Sequence, residues 1–147
     1  MKLPDANILL YTVDALSPFH DRAQEWLDGA LSARESVAFT WLALVAFLRI
    51  STQARLFKSP LSIEQAFEIV DEWLAQPSAQ IIHPTERHAQ LILELLKPLG
   101  TAGNLVNDAH LAALAIEHGA TLYSFDNDFS RFEGVRWIDP SKPARKR

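Results

Sequence analysis

The sequence predicts an α/β domain built on a mostly parallel sheet of four or five strands. Short apolar runs alternate along the chain with longer stretches of helical periodicity. Most of those stretches are long enough for the crossover helices that parallel pairing requires. Aspartates stand where the runs end, Asp5 after the first and Asp126 after the fourth, as in open sheets that offer their carboxyl edge to a ligand.

Met1 to Leu3 forms the first strand, cut short by Pro4 and Asp5. Helical spacing follows from Ile8 to Val13, and Ser17, Pro18 and Phe19 make a turn. His20 to Leu31 reads as a helix with Ala23, Trp26, Leu27 and Ala30 on one face. Val37 to Phe39 is the second strand, and Thr40 opens a helix that runs to about Gln53. The apolar run from Val37 to Ile50 is too short for a bilayer, which takes about 20 residues, so it is expected in the core. Pro60 and Ser62 open the next helix, in which Ser62 and Gln65 have capping-box spacing. Its stripe is Ala66, Phe67, Ile69, Val70, Trp73 and Leu74, and Pro77 ends it.

Gln80 to His83 is the third strand, before Pro84. Thr85 to Lys97 is helical on the pattern His88, Leu91, Ile92 and Leu95. Asn104 to His118 forms a further helix, stopped by Gly119. Thr121 to Phe125 is the fourth strand and Val135 to Ile138 the fifth. Residues 1–140 therefore form one domain, and 141–147 a basic, proline-broken tail for which no ordered structure is expected.

Composition narrows the chemistry. A chain of 147 residues, 48% apolar, can bury one core without staples. It has no cysteine, which excludes disulfides, thiolate metal sites and cysteine nucleophiles, and fits a reducing cytoplasm. Asp5, Asn7 and Asp14 interrupt the opening stretch, so neither a secretory signal nor a membrane association is expected. The net charge of −4 argues against a module that holds nucleic acid by electrostatics alone. It is compatible with a nuclease whose carboxylates are covered by cations.

Taken singly, the aspartates have ordinary uses. Asp5 suits a helix N-cap, Asp108 the positive end of a helix dipole, and Asp126 and Asp128 a turn. Together they fall at one edge of the predicted sheet, where unshielded carboxylates repel one another. Magnesium accepts two or three such oxygens and keeps its remaining waters. An ion so held can activate water toward a phosphodiester.

The motifs resemble those of a known family. Asp5-Ala6-Asn7-Ile8-Leu9-Leu10 is similar to the Asp-x-Asn-x-Leu opening of PIN domains. Asn107-Asp108-Ala109-His110-Leu111-Ala112 resembles their third acidic motif, and Ser124-Phe125-Asp126-Asn127-Asp128-Phe129 the fourth. The order and spacing are those of VapC-type toxins. The resemblance implies a PIN-like three-layer α/β/α fold and an endoribonuclease dependent on Mg2+ or Mn2+, acting on tRNA, rRNA or mRNA. It also implies a small VapB-like antitoxin and a homodimer. Asp5, Asp108 and Asp126 would hold the metal, Asp128 would assist, and Asn7 and Ser124 would hydrogen-bond around the carboxylates.

One position departs from the family. Ala46 stands where a glutamate is usual, and no acidic residue lies between Thr40 and Ala54. The expectation is one firmly held metal ion instead of two. The same departure sustains an alternative, a degenerate PIN domain that binds RNA or a protein without cutting. Aspartyl phosphotransfer is disfavoured, since the first strand lacks Asp-x-Asp. Arg49 either meets phosphate or pairs with a carboxylate. Arg55 and Lys58 are RNA contacts or solvated loop residues. His110 is read as structural, and the four tryptophans as core or dimer contacts.

Overall fold

The computed structural model describes residues 1–143. Five strands, β1 (Lys2–Pro4), β2 (Val37–Phe39), β3 (Ala79–Ile81), β4 (Thr121–Tyr123) and β5 (Trp137–Ile138), form one sheet in the order β3-β2-β1-β4-β5. Every pairing is parallel. Six helices connect them: α1 (Ala6–Tyr11), α2 (His20–Ser32), α3 (Trp41–Ser51), α4 (Ile63–Leu74), α5 (His88–Leu96) and α6 (Val106–Glu117).

Both faces of the sheet are covered, so the expected three layers are present. On one face Leu3, Ala38 and Leu122 pack with Leu91 and Leu95 of α5 and Leu111 and Leu114 of α6. On the other, Val37 and Phe39 pack with Leu9, Leu27, Leu44, Phe47, Val70 and Trp73 of α1 to α4. Val37, Ala38 and Phe39 are all fully buried, as a parallel strand covered on both sides should be. No helix among the described residues is long and apolar enough to cross a membrane.

Pro4 does not cut the first strand short; it is the last residue of β1. Successive N–H groups of a strand point to opposite neighbours. The Lys2 N–H donates to Ser36 O on the β2 side at 2.9 Å, and that of Asp5 to Tyr123 O on the β4 side at 2.9 Å. Pro4 lacks its N–H on the β2 side, where the registered pairing has already ended after Lys2 and Val37. Other boundaries shift for local reasons. Helix α1 starts at Ala6 because Asp5 caps it. Helix α5 starts at His88, since the Thr85 hydroxyl and N–H are drawn to Glu117 Oε1 at 2.8 and 3.3 Å.

The capping box of Ser62 and Gln65 forms as expected, and Thr40 caps α3 by accepting from Ala43 N at 3.2 Å. Gly119 ends α6 with φ 63°, a conformation that favours glycine. Trp73 lies in the core beside Phe39 and Phe47, with ring centroids 6.2 and 4.8 Å away, whereas Trp41 is 49% exposed. At the C-terminal end, Ser141 N and Oγ donate to Asp139 Oδ1 at 2.9 and 2.7 Å. Residues 144–147, the greater part of the expected tail, lie outside the described residues.

Candidate active site

β1 and β4 are adjacent, central and parallel, so their carboxyl ends open at the same edge. Asp5 follows β1 and caps α1, its Oδ1 accepting from Ala6 N at 2.7 Å. Its Oδ2 accepts from the Ser124 hydroxyl at 2.7 Å. Ser124, fully buried just beyond β4, also accepts from Asn7 Nδ2 at 2.9 Å and Asp126 N at 3.0 Å. One hydroxyl thus uses its donor and both acceptor positions to tie the ends of two strands together. Asn7 Oδ1 accepts from Phe125 N at 3.4 Å, and the Trp137 indole N–H donates to Ser124 O at 3.0 Å. Asp126 in turn caps the 3₁₀ segment Asn127–Arg131 by accepting from Asp128 N at 2.9 Å.

Asp108 reaches this edge from the first turn of α6. Asp108, Asp126 and Asp128 each offer a carboxylate oxygen within 4.8 Å of the others. Asp5 lies outside that group, with each of its oxygens already accepting one hydrogen bond. The four carboxyl groups still feel one another. Asp108 is pushed up to about 6, first by burial and then by Asp126, Asp5 and Asp128. Burial chiefly raises Asp5 as well; the Ser124 and Ala6 hydrogen bonds pull it back, and Asp126 adds a smaller upward push.

Hard carboxylate oxygens, crowded until one of them resists ionisation, are a donor set suited to a divalent cation. The residues present therefore fit such an ion, with Asp108, Asp126 and Asp128 as its nearest common holders.

Ala46 faces the same region. A cleft of about 240 Å³ is lined by Asp5, Ala6, Asn7, Leu10, Ala46, Phe47 and Ile50. On the α3 side Ala46, Phe47 and Ile50 make its wall apolar. Arg49 is exposed and, among the described residues, pairs with no carboxylate. Arg55 and Lys58 lie exposed in the segment after α3.

His110 has the structural setting expected of it. Its Nδ1 lies 2.7 Å from His88 Nε2, and His88 Nδ1 lies 3.0 Å from the buried Glu117 carboxylate. Burial first, and then His88, holds His110 below the usual histidine range. This chain of contacts between α5 and α6 has no sequence signal, because its members are far apart and share no motif.

Known proteins match the chain along nearly its whole length. Ribonuclease VapC37 of Mycobacterium tuberculosis is 53% identical over 140 residues, covering 95% of this chain and 97% of that protein. Ribonuclease VapC33 of the same species is 41% identical over 140 residues, covering 95% and 98%. Among solved structures, VapBC2 from Rickettsia felis, bound to a DNA fragment from its promoter, has a chain that superposes with a TM-score of 0.68. It covers 93% of this chain and 96% of its own at 20% identity. That likeness concerns the fold. Residues 2–135 match the PIN domain family, and with so much of the sequence shared with a named member the lineage is plain: the chain belongs to the PIN domain family.

Proposed function

We propose that this chain is the toxin of a toxin–antitoxin pair, an endoribonuclease that hydrolyses RNA phosphodiesters with a divalent cation, Mg2+ or Mn2+. The reading rests above all on the meeting of Asp108, Asp126 and Asp128 beside Asp5 at one sheet edge, in a chain 53% identical to Ribonuclease VapC37. Asp108, Asp126 and Asp128 hold the cation, and Asp5 completes the acidic edge in the orientation that Ser124 and the Ala6 N–H impose. A cation bound there supplies the Lewis acidity that phosphodiester hydrolysis draws on. Ser124 and Asn7 keep Asp5 and Asp126 in register. Ala46 leaves the set one carboxylate short, so one cation is held firmly. Arg49, free of an ion pair among the described residues, is available to the RNA backbone, with Arg55 and Lys58 behind it.

The partner is a small VapB-like antitoxin, in keeping with the VapBC2 complex that shares the fold. The exposed apolar side chains Trp41 (49%) and Val45 (54%) of α3, and Ile63 (65%) and Phe67 (51%) of α4, support association, including a homodimer. The RNA substrate, tRNA, rRNA or mRNA, places the protein in the cytoplasm.

The test is incubation of purified, antitoxin-free protein with total RNA in Mg2+, in Mn2+ and in EDTA, beside Asp108→Asn. Cleavage that EDTA and the substitution both abolish is the expected result. Binding without cutting in either metal would overturn the catalytic reading in favour of a PIN domain that only binds, which the missing carboxylate at Ala46 would then explain.

A further inference from the structure

Three aromatic rings from three separate segments stack at the border of the acidic edge. Tyr11 ends α1, Phe19 closes the turn before α2, and Phe125 lies between Ser124 and Asp126. Phe19 lies 4.6 Å from Phe125 at 21° and 5.6 Å from Tyr11 at 25°; Tyr11 and Phe125 are 5.7 Å apart at 41°. None of the three belongs to either core cluster, and each is only half-buried. A stack that served packing alone would be expected to continue into the core. This one stands apart from it, with ring surface still open.

We propose that Tyr11, Phe19 and Phe125 form a stacking platform for a nucleobase of the single-stranded RNA segment whose phosphodiester lies at the carboxylates. The proposal rests on the ribonuclease reading above and adds a binding subsite to it. RNA carries one base for every phosphate, so a phosphodiester at the acidic edge brings a base to its border. The Phe125 backbone is tied to that edge, since its neighbours are Ser124 and Asp126 and its own N–H donates to Asn7 Oδ1 at 3.4 Å.

The platform is also held in place. His20 Nδ1 lies 2.8 Å from Tyr11 O, Ser17 Oγ accepts from Phe19 N at 3.1 Å, and Asp14 Oδ1 accepts from Leu16 N at 3.2 Å. Single-stranded RNA is gripped largely by such rings, because every base has a π-face. The net charge of −4 makes the point sharper. Ionic contacts are a poor main handle for an acidic protein, whereas stacking needs no positive surface and resists salt.

The experiment uses full-length Asp108→Asn with Mg2+, and short single-stranded RNAs of mixed sequence carrying 2-aminopurine at successive positions. Fluorescence should be quenched at one or two adjacent positions and not elsewhere. In the same background, Phe19→Leu should weaken binding about 10-fold and relieve the quench. An abasic residue at the quenched position should erase the difference made by Phe19→Leu. On the otherwise native enzyme, Phe19→Leu should raise KM with kcat little changed, and circular dichroism and melting should confirm folding.

Quenching at no position, in an RNA that the unsubstituted protein cuts, would overturn the platform and leave the ribonuclease reading standing. That arm needs no aromatic substitution, so a variant that fails to fold does not spoil it. Unchanged RNA affinity with weakened antitoxin affinity in Phe19→Leu would overturn it as well, and assign the rings to the protein partner. Failure of the unsubstituted protein to cut any RNA, with no RNA bound by Asp108→Asn, would sink the ribonuclease reading and the platform with it.

Discussion

Asp108→Asn should stabilise the metal-free protein while destroying its activity. Ionising Asp108 in the folded chain means charging a half-buried group beside Asp126, Asp5 and Asp128, which is why its carboxyl lies at about 6 and not at the ordinary 3.8. Undiluted, that difference corresponds to about 3 kcal/mol; solvent screening of a partly exposed group reduces it to about 1–2 kcal/mol. The sign follows from proton binding. Between pH 4 and 6 the folded state holds more proton than the unfolded state, so Asp108's contribution to stability is complete below about 4 and lost as pH rises through about 6. An asparagine carries no such penalty. In EDTA at pH 8 the variant should therefore melt about 2–8 °C above the unsubstituted protein, and the two should converge near pH 4. Adding Mn2+ at pH 8 should reverse the order, because only the native carboxylate set gains stability from the ion. Equal melting temperatures in EDTA at pH 8, or a gap that persists unchanged at pH 4, would refute the view that carboxylate crowding strains this edge.

Substitutions at three other positions probe the same edge. Ser124→Ala strips Asp5, Asn7 and Asp126 N of a shared buried partner; urea unfolding should show a loss of about 1–3 kcal/mol, with a fall in kcat. Ala46→Glu puts a carboxylate into the apolar cleft beside Asp5, so calorimetry should record about 10-fold tighter Mn2+ binding and a second ion, at some cost to metal-free stability. Unaltered Mn2+ binding would mean that the cleft and the carboxylates do not share an ion. Asp5→Asn should keep the helix cap and lose cleavage, whereas Asp5→Ala should lose both, unfolding about 1 kcal/mol more easily. Equal stability of the two would show that the cap contributes little.

The alternation of apolar runs and helical periods made the sheet and its helices legible, because parallel strands buried on both faces and amphipathic helices leave distinct periods. Val37–Phe39 and the Ser62–Gln65 cap were readable to the residue. Boundaries failed where a distant group intervened. Thr85 leaves the helix for Glu117, and Pro4 is accommodated because the β1–β2 register stops early; no local pattern encodes either. In the site, the motifs pointed to aspartates that the fold gathers at one edge, but their grouping is tertiary. That Asp128 joins Asp108 and Asp126 while Asp5 is held by Ser124 depends on how α6 meets the end of β4. The Tyr11, Phe19 and Phe125 stack left no trace in the sequence, since its rings come from segments that only the fold brings together.

The ordinary uses of these aspartates are compatible with the proposed one, because a carboxylate has two oxygens. Asp5 spends Oδ1 on the first turn of α1, and Asp126 spends Oδ1 on the turn that begins at Asn127. Each cap fixes the side chain's orientation, and so presents the second oxygen at a defined place on the edge. Oδ2 of Asp5 is then held by Ser124, whose hydroxyl also receives the Asp126 N–H, so the two caps cannot drift independently. Asp108 has no such tether: among the described residues its side chain makes no hydrogen bond or ion pair, and it is the carboxyl driven to about 6. The acidic edge thus divides into two tethered groups, Asp5 and Asp126, that set the geometry, and two untethered ones, Asp108 and Asp128, of which Asp108 is the one driven upward and so the one whose charge needs a cation most. That division singles out Asp108 as the position where metal binding, pH and stability should be most tightly coupled.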